Sequence, residues 1–213
     1  MQVQEISNRL DYQLQKFTSG LALDEYAKSL YLTRAQNEFI SQVSRVYEYG
    51  DAMRHLIGPL LVSAKPSKIY GKTEFNGVAF KQPTDTILKI VYEKIGNIPV
   101  IPLDTNDVHF TLDNPFRKPN LKIAYRIMHN GIIEVVSQKK LKDYSYIYIK
   151  EPSPIILENL PKPLEIGGLK VETTSVLSDG SMLKVIDVAV ALIIKEAKEL
   201  APPPPQPQPQ QPK

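Results

Sequence analysis

Cysteine and tryptophan are both absent from the 213-residue chain, and histidine occurs only at 55, 109 and 129. Without cysteine there is no disulfide framework, no thiolate nucleophile and no cysteine-based zinc site, a pattern that fits folding in a reducing cytoplasm. The three histidines are far apart in sequence and have no HExxH or comparable ligand spacing. There is no G-x-S-x-G elbow and no phosphate-binding G-x-x-x-x-G-K-[ST] loop, and Gly167-Gly168 stands without the rest of a dinucleotide fingerprint. Asp104-Thr105-Asn106-Asp107 begins like a calcium loop but lacks the downstream Gly and Glu, so it reads as a turn. Paired carboxylates such as Asp24-Glu25 stand at a helix start, where the dipole accounts for them. No catalytic residue, cofactor or metal is therefore expected, and an enzyme would need at least two of His55, His109 and His129 to meet in space.

Long apolar runs are missing too. The longest candidate, VIDVAVALII, carries Asp187 and stops at Lys195, so no membrane span is expected. The opening MQVQEISNRLDYQLQ has no basic region followed by an apolar core, so no secretion signal is expected either. The formal charge is only +3, with local basic runs at Lys65, Lys68 and Lys72 and at Lys139, Lys140 and Lys142 that read as solvated loops. At 42% hydrophobic and 23% charged, the composition is that of an ordinary globular protein, and the length allows one well-buried core or one core plus a small lobe.

What is present organises into three stretches and a tail. Val3, Ile6, Leu10, Leu14 and Phe17 recur at helical spacing, and Ser19-Gly20 offers a C-terminal cap. Asp24 is the expected N-cap of a long second helix whose buried stripe is Ala27, Tyr31, Ala35, Phe39, Val43 and Val46. Tyr26, Leu30 and Ile40 fall away from that stripe and form a second apolar side, either a subunit interface or a seat for another part of the same chain.

Gly58-Pro59 ends the helical pattern, and strands follow at 86–95, 121–127, 132–138 and 144–150, with a hairpin turn at His129-Asn130-Gly131. Tyr144, Tyr146 and Tyr148 lie on one face of the last strand and are expected to pack within the sheet rather than to stack on bases. Pro99, Pro102, Pro115 and Pro119 are expected on edges or in loops.

After Asp179-Gly180-Ser181, a helix carries Leu183, Ile186, Val190, Ile193, Ala197 and Leu200 as a seam and is apolar nearly all round. The expected fold class is α+β: a helical layer from the N-terminal helices and the C-terminal helix, with an inserted antiparallel β-module and an extended proline-rich tail. Its parts are 1–64, the N-terminal helical segment; 65–178, the β-module; 179–200, the helix packing on the N-terminal helices; and 201–213, the tail. The tail, APPPPQPQPQQPK, favours polyproline II geometry.

Three blocks carry a family resemblance: LDEYAKSLYLTRAQNEFI (23–40), NPFRKPN (114–120) and YSYIYIKEPSPIIL (144–157). Together they resemble the virion ring or head-to-tail connector proteins of the neck of crAss-like bacteriophages. The resemblance implies a structural virion subunit, made and assembled in the cytoplasm of the bacterial host, that forms a homo-oligomeric ring, expected as a dodecamer. Its implied partners are the portal protein and neighbouring ring or tail proteins, with transient non-specific contact to passing DNA and no membrane. Tyr26, Leu30 and Ile40 become subunit-interface candidates. Pro202, Pro203, Pro204, Pro205, Pro207, Pro209 and Pro212 become candidates for gripping the portal or an adjacent ring. An alternative from another class is a soluble nucleic-acid-binding protein associated with DNA packaging, using Arg117, Lys118, Lys139, Lys140, Lys142 and the tyrosine row.

Overall fold

The computed structural model describes residues 1–17, 22–69, 73–129, 131–138 and 143–200. Among them are five α-helices and eight strands: α1 Val3–Phe17, α2 Glu25–Val46, α3 Asp51–Ile57, β1 Leu61–Ala64, β2 Lys68–Ile69, β3 Val78–Lys81, β4 Ile87–Ile95, β5 Ile98–Pro102, α4 Val108–Leu112, β6 Ala124–His129, β7 Ile132–Val136, β8 Tyr144–Lys150 and α5 Asp179–Leu200. The protein is thus mixed α+β. The expected cap at Ser19-Gly20 and the tail at 201–213 lie outside the described residues.

The chain divides into two compact units, one of residues 1–41 with 153–213 and the other of residues 42–152. These limits differ from those drawn on composition. The stretch 153–178 groups with the helices, and the C-terminal end of α2 groups with the strands.

In the helical unit, α1 buries Val3, Ile6, Leu10 and Leu14 as its spacing requires, whereas Phe17 is left 66% exposed. Asp24 caps α2 as expected, its Oδ1 accepting the Ala27 amide at 2.7 Å. Along α2, Leu32, Ala35, Phe39, Ile40 and Val43 are buried, while Val46 is 73% exposed and lies beyond the stripe. On α5 the buried face is wider than a two-position seam: Met182, Val185, Ile186, Ala189, Val190 and Ile193 are all under 5% exposed, and Leu183 and Ala197 are only half-buried. Gln13 Nε2 on α1 donates to Asp187 Oδ1 on α5 at 3.0 Å, and Tyr31 on α2 donates to Glu196 Oε2 at 2.6 Å. The Tyr31 hydrogen bond, with a second from Arg34, holds the Glu196 carboxyl below the usual carboxylate range.

One buried cation ties α1 to α2. Lys28 is 4% exposed, and its ammonium donates to Asp11 Oδ2 at 2.6 Å, Glu25 Oε1 at 2.8 Å and Ser7 Oγ at 3.0 Å. Burial alone would lower its pKa, but the hydrogen bonds and charges of Asp11 and Glu25 outweigh that, and it stands above the ordinary lysine value. Lys28→Ala is expected to cost about 2 kcal/mol, the range of a charged hydrogen-bond set whose carboxylates can turn back to water. Lys28→Arg should recover part of the loss, and chemical denaturation of the three proteins checks both.

The second side of α2 meets its own chain. Ser29 and Gln36 are both 0% exposed and, with Thr33, bond the backbone of residues 153–157 in place of a neighbouring strand. Thr33 Oγ1 accepts the Ile155 amide at 3.0 Å, Ser29 Oγ accepts the Leu157 amide at 3.0 Å, and Gln36 Nε2 donates to the Ser153 carbonyl at 2.9 Å. Residues 156–160 then pair with 169–173 through the Ile156–Thr173 and Leu160–Lys170 contacts, across a turn at Gly167-Gly168, where φ is +56° and +76°. Positive φ at both positions is what glycine allows, which gives this pair a structural role.

The strands form one sheet in the order β1-β8-β4-β5-β6-β7-β3-β2. The module is not purely antiparallel, because β5 runs parallel to β6 with Val100 opposite Ala124. Pro99 and Pro102 sit in this interior strand rather than on an edge. The strand tolerates them because Pro99 is paired only with β4, at Lys94, and Pro102 only with β6, at Arg126. The β6–β7 hairpin pairs His129 with Ile132 around Gly131, as the His-Asn-Gly signal predicts. The sheet curls so that Phe80 of β3 lies 4.9 Å from Tyr144 of β8, ring centre to ring centre. Tyr144, Tyr146 and Tyr148 are each no more than 3% exposed and line the shared core with Ile95, Val100, Ile133 and Val135.

Candidate functional site

The buried ion pair inside the β-unit is committed to structure. Arg126 Nε donates to Glu93 Oε1 at 2.9 Å, and the Tyr144 hydroxyl donates to Glu93 Oε2 at 2.9 Å. Burial raises the Glu93 pKa above the usual carboxylate value, with the Arg126 charge and the two hydrogen bonds opposing it. The Tyr144 phenol is pushed up by burial and by the neighbouring Glu93 charge, which keeps it a neutral donor. Burial also raises the Tyr146 phenol, to about 12. With all three rings sequestered, the tyrosine row offers no face for base stacking, in line with its expected packing role.

Two histidines share an aromatic neighbour. The Phe75 ring lies 6.2 Å from His109 and 5.8 Å from His129, in edge-type contact with each. His129 Nε2 is 3.1 Å from the fully buried Glu134, whose other oxygen accepts the amides of Phe75 at 3.0 Å and Gly77 at 2.8 Å. The carboxylate fastens the segment before β3. Among the described residues, no group of three or more His, Asp or Glu is placed to hold a metal ion, and no helix is long and apolar enough to cross a membrane.

Among the described residues, one surface feature that internal packing leaves unexplained is the loop from α4 to β6. The side chain of Asn114 accepts the Phe116 amide at 2.9 Å, and its carbonyl accepts the Arg117 and Lys118 amides at 3.1 and 2.9 Å. Asn120 repeats the device, its Oδ1 accepting Lys122 and Ile123 at 2.8 and 3.0 Å. The Tyr125 hydroxyl donates to the Arg117 carbonyl at 2.7 Å, and Pro119 is buried beneath. On this pinned frame Phe116 is 94% exposed, Phe110 63% and Leu121 62%, with the Arg117 guanidinium 5.2 Å above the Phe110 ring. A fixed aromatic at full exposure, flanked by Arg117, Lys118 and Lys122, has the composition of the centre of a protein interface.

Residues 1–202 match the family described as phage tail ring protein 3/4. The chain belongs to this family. Ring protein 3 of Bacteroides phage crAss001 is 30% identical over 207 residues, covering 86% of this chain and 90% of that protein. Ring protein 4/5 of the same phage is 25% identical over 231 residues, covering 94% of this chain and 92% of that protein. The family resemblance carried by the three sequence blocks is therefore correct, and the protein is a structural ring protein of a phage virion. Its matched relatives are named as ring proteins, not as enzymes.

The interface candidates drawn from the second side of α2 occupy three different environments. Tyr26 is half-buried against Ile156, Leu160 and Ile166 of its own chain, Ile40 is 1% exposed, and Leu30 remains 42% exposed. The tail prolines and Lys139, Lys140 and Lys142 lie outside the described residues. In the sequence, NPFRKPN stands out only by its family resemblance. The signal within it was the pair of asparagines flanking Phe116, each in position to cap a tight turn.

Proposed function

We propose that this ring protein is a connector subunit of the virion neck, closing into a ring, expected as a dodecamer, that joins the portal to the tail around the DNA passage. The observation that carries the reading is the match to a phage ring-protein family over residues 1–202, a span that takes in both compact units. Ring closure needs two different complementary surfaces on each subunit. The exposed Phe116 loop supplies one, and Leu30 on α2 is a further candidate. The tail prolines, from Pro202 to Pro212, are assigned to gripping the portal or an adjacent ring, since a stiff extended segment loses little entropy when it is bound. Contact with DNA is transient and non-specific in this reading, and the burial of the tyrosine row weighs against the nucleic-acid-binding alternative.

Native mass spectrometry of the purified chain, with and without portal protein, tests the proposal. A closed ring in either condition is expected, and truncation after Leu200 should leave a folded chain that attaches poorly to the portal. A monomer indifferent to the portal but shifted by DNA would overturn the connector reading.

A further inference from the structure

The two compact units carry opposite charge. Residues 42–152 contain sixteen Lys and Arg against eleven Asp and Glu, a net +5. Residues 1–41 with 153–200 contain nine against twelve, a net −3. The modest overall charge therefore conceals two units of opposite sign, and opposite charges favour contacts between the unlike units of neighbouring copies.

Each unit also presents an apolar surface within its own charge. On the basic unit this is the Phe116 loop with Arg117, Lys118 and Lys122. On the acidic unit it is the paired segment 156–160 with 169–173. There Leu169 is 40% and Val171 66% exposed, and Val176 just beyond is 49% exposed. Asn159 Oδ1 accepts the Glu172 amide at 3.0 Å, which joins the two arms of the segment beside Glu158 and Glu172, both of them exposed.

We propose that the Phe116 loop of one copy docks on the 156–173 segment of the next, with Phe116 against Leu169 and Val171, and with Arg117 and Lys118 facing Glu158 and Glu172. The contact rests on the ring reading above and names the surfaces that would close the ring. It is heterologous by construction, since knob and seat lie on different units. That is the requirement for propagation around a ring rather than for a two-fold dimer. The loop is fixed by its Asn114 and Asn120 bonds before any partner arrives, so little ordering cost opposes binding. The charged groups ring the apolar centre at exposed positions, so association should weaken as salt rises.

The test is self-association of the full-length chain by sedimentation velocity and native mass spectrometry. Phe116→Ala and the double variant R117E/K118E should each weaken assembly by about tenfold or more, as loss of an interface anchor does. Both change exposed side chains, so circular dichroism should match the parent. Adding E158K and E172K to R117E/K118E reverses both sides of the contact and should restore assembly. A parent chain that never self-associates would overturn the ring reading and this contact together. A parent that assembles while R117E/K118E assembles equally well would overturn the contact alone. Loss of assembly without rescue by the reversed pair would also overturn it, placing the loop against a different neighbour.

Discussion

Gly77→Ala should lower the stability of the β-unit by about 3 kcal/mol or more, the upper range for forcing an extra methyl into a packed site. A Cβ built at Gly77 would stand 2.7 Å from the Val135 carbonyl oxygen and 2.9 Å from both Cγ and Oε1 of Glu134. The first obstacle is backbone of β7 and cannot swing aside. The second is the carboxylate that receives the Phe75 and Gly77 amides, so any shift that relieves the clash also lengthens those bonds. Glu134 is 0% exposed, and a buried acceptor pulled from its donors loses much of its compensation for desolvation. Gly96→Ala is the internal comparison. Its φ is +54° with nothing within 4 Å of the added atom, so only the left-handed backbone is penalised, at about 1 kcal/mol. The chain has no tryptophan but eleven tyrosines, so urea titration followed by near-ultraviolet circular dichroism reports on the packed tyrosine row. Equal shifts for the two variants would show that β3 can move away from β7 more easily than the geometry implies.

The contrast between these glycines also shows what could be read in the sequence. Hydrophobic period placed α1, α2, α5 and β8, and β-branched and aromatic richness placed β4, although Phe17 and Val46 at the ends of their stripes stay exposed. The hairpin at Gly131 was readable because its chemistry is local. By contrast, β5 was hidden by its two prolines, which ordinarily exclude an interior strand and are tolerated here only because each half of β5 pairs on one side. The short α3, β1 and β3 were missed for want of a full period. The seat of residues 153–157 was hidden as well, since its backbone partners are Ser29, Thr33 and Gln36, more than a hundred residues earlier in the chain. Lys28 is the clearest case of tertiary override: a lysine on a helix reads as solvated, and only the arrival of Asp11 and Ser7 from α1 makes its burial tolerable. For the candidate site, the asparagines of NPFRKPN were readable as turn formers. The 94% exposure of Phe116 was not, because it depends on every neighbouring element leaving that ring uncovered.

Arg126→Ala should cost about 3–5 kcal/mol at neutral pH, the range for leaving one member of a buried ion pair without its partner. The side chains of Arg126 and Glu93 are 12% and 5% exposed, so the carboxylate that remains has little access to water. Burial has already raised the Glu93 pKa, and Arg126 is the largest influence opposing that rise. A carboxyl whose pKa is higher in the folded than in the unfolded state favours folding when protonated, and that advantage is lost as pH climbs through the folded value. Removing Arg126 moves the folded value further up. The penalty of Arg126→Ala should therefore be greatest at neutral pH and shrink as pH falls toward the ordinary glutamate range, where Glu93 takes up a proton and stays buried as a neutral acid. Glu93→Gln in the Arg126→Ala background should remove most of that pH dependence, because no charge remains to be stranded. Denaturant midpoints for the parent, the single variant and the double variant across pH 4 to 7 decide the matter. A penalty that stays constant with pH would mean that the loss comes from the packing of the arginine stem against β6 and its neighbours and not from the stranded carboxylate.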